Sequence, residues 1–148
     1  MHDTLAKFGY GPGTVFEDEH WAAVVRPAQP TFGSMVLICK SEATSFGALT
    51  PAEATALPVM AARIEAALAS VVGHRKINYV MLMMVDPHVH FHVIPRYDGA
   101  RDWQGKKFAD AGWPGVPDLG QAVALDADAV AHLRDDLRNS PSNATGAD

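Results

Sequence analysis

One long helix with short strand patterns on both sides is the feature that most restricts how this chain can fold. The segment Thr50-Pro51-Ala52-Glu53 is the strongest helix start in the sequence, because Thr50 can cap, proline suits the first helical position and Glu53 completes a capping box. Apolar residues then recur at spacings of three and four, and Gly73 ends the pattern. We expect Pro58 to kink or locally break this helix.

Strand patterns occupy the chain before and after this helix. Residues 14–17, 21–26 and 34–40 read as three short strands separated by polar or proline-containing turns. Residues 76–85 are continuously apolar, which predicts a central strand covered on both faces. After a turn at Asp86-Pro87, residues 88–95 form the next predicted strand.

The remaining chain predicts a loop and one more helix. Residues 98–121 show no periodicity and read as an irregular excursion, and Asp126 can cap a helix over 127–138. Short strands on either side of one long helix favour an α+β domain built on a mainly antiparallel sheet. We expect a single domain over residues 1–138 and a disordered polar tail over 139–148.

Charge and composition narrow the possible partners. The chain has 12 basic and 17 acidic residues and a net charge of −5. Binders of duplex nucleic acid usually carry a basic surplus, so we expect no such partner, whereas a small phosphorylated ligand needs only a local positive field. The N-terminus lacks the apolar core of a signal peptide, and we expect no membrane span. The single cysteine, Cys39, excludes an internal disulfide. These features predict a cytoplasmic protein.

Three histidines alternate with apolar residues in the predicted strand after the turn. His88, His90 and His92 are separated by Val89 and Phe91. Side chains at i, i+2 and i+4 of a strand share one face, so neighbouring imidazoles would start about 6.6 Å apart, close enough for all three to contact one phosphate group. Burying three unpaired imidazoles would be costly, which favours a functional site over a structural one.

Two kinds of chemistry fit such a row of imidazoles. Zinc accepts three histidines, but the outer Cα atoms would be about 13 Å apart, so convergence on one ion is awkward and a metal-dependent hydrolase is the less favoured alternative. The other is covalent catalysis, since a neutral imidazole is a good nucleophile near pH 7. If the middle histidine attacks a phosphorus, protonated flanking histidines can donate to the phosphoryl oxygens.

The run from His88 to Ile94 resembles the histidine triad signature, His-φ-His-φ-His-φ-φ with φ apolar. The following Pro95-Arg96 matches the form common in the branch of fragile-histidine-triad and dinucleotide polyphosphate hydrolases, and we expect the similarity to extend from about Val15 to Arg96. The resemblance implies an antiparallel five-stranded sheet with helices, a homodimer, and transfer or hydrolysis of nucleoside monophosphates through a covalent nucleotidyl-histidine.

Carried onto this sequence, the resemblance makes His90 the nucleophile and His88 and His92 its phosphate-contacting neighbours. It implies no protein-bound metal or other cofactor, although a divalent cation can accompany a polyphosphate substrate. The substrate class is a nucleotide or dinucleotide cleaved at its α-phosphorus, as a phosphoanhydride or a phosphoramidate.

The sequence departs from the better-known branches in two places. Those branches carry a polar glycine–glutamine element before the triad, where this chain has the apolar stretch Met83–Pro87. They also often have a histidine after the glycine that opens the third strand, where Gly33 is followed here by Ser34. The missing polar element leaves a further alternative open, a nucleotide-binding sensor that keeps the triad but turns over too slowly to matter.

A second set of residues is predicted to bind the substrate around the triad. Arg96, at the end of the triad strand, can clamp phosphate. Arg26 and Ser34 flank the turn between the second and third strands, where family members line the nucleoside pocket. Asn78 lies in the neighbouring strand, and Trp103 could stack on a nucleobase or anchor its loop.

Overall fold

A computed structural model describes residues 1–140, so the predicted tail lies almost entirely outside the described residues. The helices in this range are α1 (Asp3–Lys7), α2 (Pro51–Val71) and α3 (Ala127–Arg138), with a short 3₁₀ turn at Phe46–Ala48. The strands are β1 (Thr14–Glu17), β2 (Trp21–Val25), β3 (Ala28–Gln29), β4 (Met35–Cys39), β5 (Lys76–Val80), β6 (His90–Arg96), β7 (Ala100–Trp103), β8 (Lys106–Ala109) and β9 (Val123–Ala124).

The centre of the fold is a five-stranded antiparallel sheet with the order β1-β2-β4-β6-β5. β2 and β4 lie in its middle and every residue of both strands is buried. β3 pairs with β9, and β7 pairs with β8, in two small ladders outside this sheet. The predicted α+β class, the antiparallel five-stranded sheet, the long helix and the C-terminal helix are confirmed.

One face of the sheet packs against α2 to form the main core. Met60, Ile64 and Leu68 of the helix are buried there. The capping box is formed, since Thr50 and Glu53 satisfy each other's backbone N–H groups. By length and composition α2 is also apolar enough to pass as a membrane span, and its buried residues pack on the sheet.

The structure departs from the sequence-based predictions for α2 and β5. α2 continues through Pro58 as one helix, so the local break predicted as one possible effect of Pro58 does not occur. The predicted central strand over 76–85 is a five-residue edge strand, β5, followed by a loop in which Leu82, Met84 and Val85 are 51%, 85% and 81% exposed. A continuous apolar run is buried on both faces only if other elements cover it, and among residues 1–140 none covers this one on both faces.

The segment after the triad is more regular than its composition predicts. β7 and β8 form a hairpin across the turn at Gln104-Gly105, where both residues have positive φ. Such a turn needs only local residues and little apolar periodicity, which is why the expected irregular excursion at 98–121 contains a hairpin.

Candidate active site

His90 and His92 lie side by side on the sheet face opposite α2. In the β4–β6 ladder His90 lies opposite Ile38, and His92 lies opposite Val36. Strand residues two apart share a face, so both imidazoles project to the same side, with ring centroids 5.2 Å apart and ring planes nearly perpendicular. His90 is 2% exposed and His92 is 9% exposed. The alternation of the sequence predicts this pair.

The His90 ring is held in one tautomer by the backbone next to it. Its Nδ1 lies 2.7 Å from the carbonyl oxygen of His88. A carbonyl oxygen only accepts hydrogen bonds, so Nδ1 carries the proton and donates it. In the neutral ring the lone pair is then on Nε2, which is the atom that can attack an electrophile.

Both nitrogens of the His88 ring are bound by protein groups outside the predicted row of three. His88 precedes β6, its Nδ1 lies 2.8 Å from Oγ1 of Thr4, and its Nε2 lies 3.0 Å from Oε2 of Glu42. The His2 ring stacks on it with centroids 3.7 Å apart. Because both ring nitrogens have protein partners, we correct the prediction that all three rings face one phosphate: His88 contributes its carbonyl group to the site.

His92 is neutral at neutral pH. Burial, together with the smaller effects of the positive charge of Arg26 and the neighbouring His90 ring, lowers the pKa of His92 to about 4. His92 is therefore not a protonated donor in the resting site, contrary to the sequence-based expectation for that residue. The neutral ring still has one N–H to donate, and its Nδ1 is buried with no hydrogen-bond partner among the described residues.

Arg26 is the predicted binding residue that the structure brings near the triad. It directly follows β2, on the side of the sheet that carries Val24. Its positive charge lowers the pKa of His92. Its Nη1 donates to the carbonyl oxygen of Ala28, whereas its Nε is buried with no partner in the described chain. Burial lowers the pKa of Arg26 from its ordinary value. An unpaired guanidinium N–H next to a neutral imidazole is suited to an anionic ligand.

The guanidinium group of Arg96 hydrogen-bonds to other residues of the fold. The prediction that Arg96 clamps phosphate is therefore corrected. Its Nε donates to Oδ2 of Asp110 at 2.7 Å, and its Nη2 donates to Oδ1 of Asp110 and to the Gly115 carbonyl at 3.1 and 2.8 Å. Its Nη1 donates to Oδ1 of Asn78 at 2.7 Å. The same cluster includes Asn78, whose amide oxygen accepts the hydrogen bond from Arg96.

Ser34 and Trp103 also have structural partners. Ser34 is fully buried, and its hydroxyl donates to the Thr31 carbonyl at 2.9 Å. The Trp103 indole N–H donates to Asp136 at 2.8 Å and its ring packs against Phe32. Of the two roles predicted for Trp103, anchoring of its loop is the one with contacts in the structure.

The N-terminal residues cover the histidine face, and sequence analysis assigned them no role. Leu5 is 3% exposed against apolar residues of β2 and β4. The Phe8 ring centroid lies 5.7 Å from that of His90 and 5.9 Å from that of His92. Thr4 and His88 are 84 positions apart in the chain, so no local pattern marks their contact.

The histidine nitrogens do not converge as a metal site would require. Within residues 1–140 no group of three His, Cys, Asp or Glu side chains is arranged to hold a metal ion. His90 uses Nδ1 on a carbonyl, and both ring nitrogens of His88 are engaged. Three imidazoles within about 2.1 Å of one point, the set that zinc needs, are therefore not formed by this arrangement.

Comparison with known proteins identifies the family of the chain. The HIT domain family profile matches residues 12–99, which include β6 and its two neighbouring strands, β4 and β5. No curated protein matches the chain at significant similarity.

Several solved structures share the fold. A histidine triad protein from Sinorhizobium meliloti is 19% identical with a TM-score of 0.70, covering 95% of each chain. A histidine triad nucleotide-binding protein from Sulfolobus tokodaii is 18% identical with a TM-score of 0.64, covering 89% of this chain and 83% of its own. A Zn-bound histidine triad family protein from Mycobacterium smegmatis is 19% identical with a TM-score of 0.62, and the match covers 95% of this chain and 91% of its own. These comparisons assign the family and not the branch. The chain therefore belongs to the HIT domain, or histidine triad, family, whose members bind nucleotides and include nucleotide hydrolases and transferases.

Proposed function

We propose that this protein cleaves nucleoside phosphoanhydrides or phosphoramidates at the α-phosphorus through a covalent nucleotidyl-histidine on His90. The observation that supports this most directly is the hydrogen bond from His90 Nδ1 to the His88 carbonyl oxygen. It fixes the tautomer in which Nε2 is the nucleophilic atom, without any change of protonation before attack.

The proposed reaction has two displacement steps. His90 Nε2 forms a bond to the α-phosphorus while the bond from phosphorus to the leaving oxygen or nitrogen breaks. The leaving group takes the electron pair, and a leaving nitrogen also takes a proton from solvent. Water then attacks the same phosphorus and loses a proton to solvent, the P–Nε2 bond breaks with its electron pair returning to Nε2, and the nucleoside monophosphate is released with neutral His90. During both steps Nδ1–H remains on the His88 carbonyl, which stabilises the positive charge on the ring.

Arg26 and His92 are the proposed contacts for the phosphoryl oxygens. Both have buried ring or guanidinium nitrogen atoms that lack a partner among the described residues. Charge-assisted hydrogen bonds to an anion would satisfy them, and an anion would also raise the pKa of His92. A dinucleoside polyphosphate is the proposed substrate type. The protein needs no cofactor in this scheme, and a divalent cation enters only with the polyphosphate.

A nucleotide-binding sensor is the second candidate. It is favoured by the loop before the triad, where Met84 and Val85 are exposed and no polar side chain stands between residues 81 and 85. Polar groups that stabilise the transferred phosphate would then be fewer than in an efficient hydrolase.

Turnover of a His90→Asn variant separates the two candidates. Loss of a covalent nucleophile should lower kcat by at least about 10³-fold while the fold is retained. His20→Asn is the matched control, because His20 lies in the β1–β2 turn beside Glu19. Tight monophosphate binding with equally slow turnover in wild type and His90→Asn would support the sensor instead.

A homodimer in the cytoplasm is the proposed state of the protein. β5 is an edge strand with unpaired backbone groups on one side, and Leu82, Met84 and Val85 next to it are exposed. Two identical edges can pair about a two-fold axis and cover such residues. Analytical ultracentrifugation should give twice the chain mass, and Val85→Lys should shift the measured mass toward that of the monomer.

The cytoplasm is the proposed location of the protein. The free, buried thiol of Cys39 suits a reducing compartment, and cell fractionation can test this location.

A further inference from the structure

We propose that Thr4 is a positioning residue for the triad: its hydroxyl fixes the ring and the backbone of His88, and through the His88 carbonyl it orients the nucleophilic ring of His90. This inference rests on the proposed function for its catalytic consequence. Thr4 lies in α1, outside the 12–99 segment matched by the family profile.

The Thr4 hydroxyl contacts His88 at two points. Its Oγ1 lies 2.8 Å from Nδ1 of the ring, and the backbone N–H of His88 donates to the same oxygen at 3.4 Å. Thr4 is 1% exposed, so water does not compete for its hydroxyl. One buried side chain therefore holds both the ring and the main chain of His88.

The partners of the ring determine the direction of each bond. Glu42 lies 3.0 Å from His88 Nε2, and an ionised carboxylate only accepts, so Nε2 carries a proton. In the neutral ring Nδ1 then bears the lone pair, and the Thr4 hydroxyl donates to it. The Glu42 side chain is 82% exposed, so solvent weakens its contact and Thr4 is the stronger of the two restraints.

His2 anchors the helix that carries Thr4. Its Nε2 donates to the Cys39 carbonyl oxygen at 2.7 Å, and its Nδ1 accepts from the Leu5 N–H at the start of α1. Its ring lies parallel to that of His88, with an interplanar angle of 5°. α1 is thereby anchored to β4, the strand that pairs with the triad strand.

The consequence for His90 follows from the backbone. The carbonyl that accepts from His90 Nδ1–H belongs to His88, whose N–H and ring are both bound by Thr4. If the hydroxyl is removed, the His88 backbone can shift and the His90 ring is freer to exchange tautomers. Part of the His90 population would then carry its proton on Nε2, where the lone pair is needed.

The test compares Thr4→Val with Thr4→Ser. Valine keeps the shape and removes the hydroxyl, whereas serine keeps the hydroxyl. Thr55→Val is the control, since the Thr55 hydroxyl only donates to a carbonyl on the exposed side of α2. Two readouts are taken: steady-state kinetics with a dinucleoside polyphosphate, and the tautomers of His88 and His90 by ¹⁵N-resolved NMR of the substrate-free protein.

We expect Thr4→Val to lower kcat about tenfold with KM nearly unchanged, and Thr4→Ser and Thr55→Val to stay within about twofold of wild type. NMR should find His88 as the Nε2–H tautomer in wild type and mixed tautomers of His90 in Thr4→Val. Equal losses in Thr4→Ser and Thr4→Val would show that packing alone matters and would overturn the proposal. An unchanged His90 tautomer in Thr4→Val would also overturn the proposal. The NMR result stands without substrate, so it decides the positioning role even if the wild-type protein hydrolyses nothing.

Discussion

Replacement of Arg96 by methionine should destabilise the fold strongly and leave the chemistry of the triad largely intact. The guanidinium makes two hydrogen bonds to Asp110 and one each to Asn78 and Gly115. The side chains of Arg96 and Asp110 are 5% and 1% exposed. Methionine fills a similar volume but leaves the Asp110 carboxylate buried without its counter-charge, which costs about 3–5 kcal/mol of the free energy of unfolding.

Urea unfolding followed by fluorescence and circular dichroism measures this free energy. Arg96→Met, Asp110→Asn and the double variant form a cycle, and the double variant should recover part of the loss because no unpaired charge remains. Asp102→Asn is the control, since its ion pair with Lys107 is exposed and should be worth less than about 0.5 kcal/mol. A loss below about 1 kcal/mol in Arg96→Met together with a collapse of kcat/KM would refute the structural role and restore the phosphate clamp.

Two further predictions concern pH and the backbone. The pKa of His92 is lowered from about 6.5 in the unfolded chain to about 4 in the fold, so the unfolded state binds more protons between these values. The stability contributed by neutral His92 should therefore be fully present above pH 6.5 and fall by roughly 2–3 kcal/mol as pH drops to 4. His92→Asn should remove that part of the slope in urea titrations at several pH values. Gly33→Ala should cost about 2–4 kcal/mol, because Gly33 has φ +90° and a Cβ would lie 2.6 Å from Val72 Cγ2 and 2.9 Å from Leu68 Cδ2. Thermal unfolding measures this cost, and a midpoint for Gly33→Ala within about two or three degrees of wild type would contradict the predicted loss.

The parts of the fold that follow local rules could be predicted from the sequence. The capping box at Thr50 and Glu53 acts within four residues, and the alternation around His90 and His92 is a property of any strand. Both predictions depend on neighbours in the chain, so tertiary packing had little opportunity to override them.

The predictions that failed concern features set by contacts between residues far apart in the sequence. The apolar run that contains β5 reads as a buried strand, yet its place at the sheet edge is set by strand order, which periodicity does not encode. The assignment of Arg96 to phosphate missed Asp110, a partner 14 positions away that comes close only through the later hairpin. The role of His88 was likewise misjudged, because its ring is oriented by Thr4 and Glu42 from two remote segments.

Mass spectrometry of a trapped intermediate tests the central claim most directly. A His92→Asn variant is incubated with a dinucleoside polyphosphate or adenosine phosphoramidate, quenched at alkaline pH, where phosphoramidate bonds persist, and digested. We predict a nucleoside monophosphate adduct on His90, and no adduct in the His90→Asn protein. An adduct mapped to another residue, or full turnover by His90→Asn with no adduct, would contradict His90 as the nucleophile.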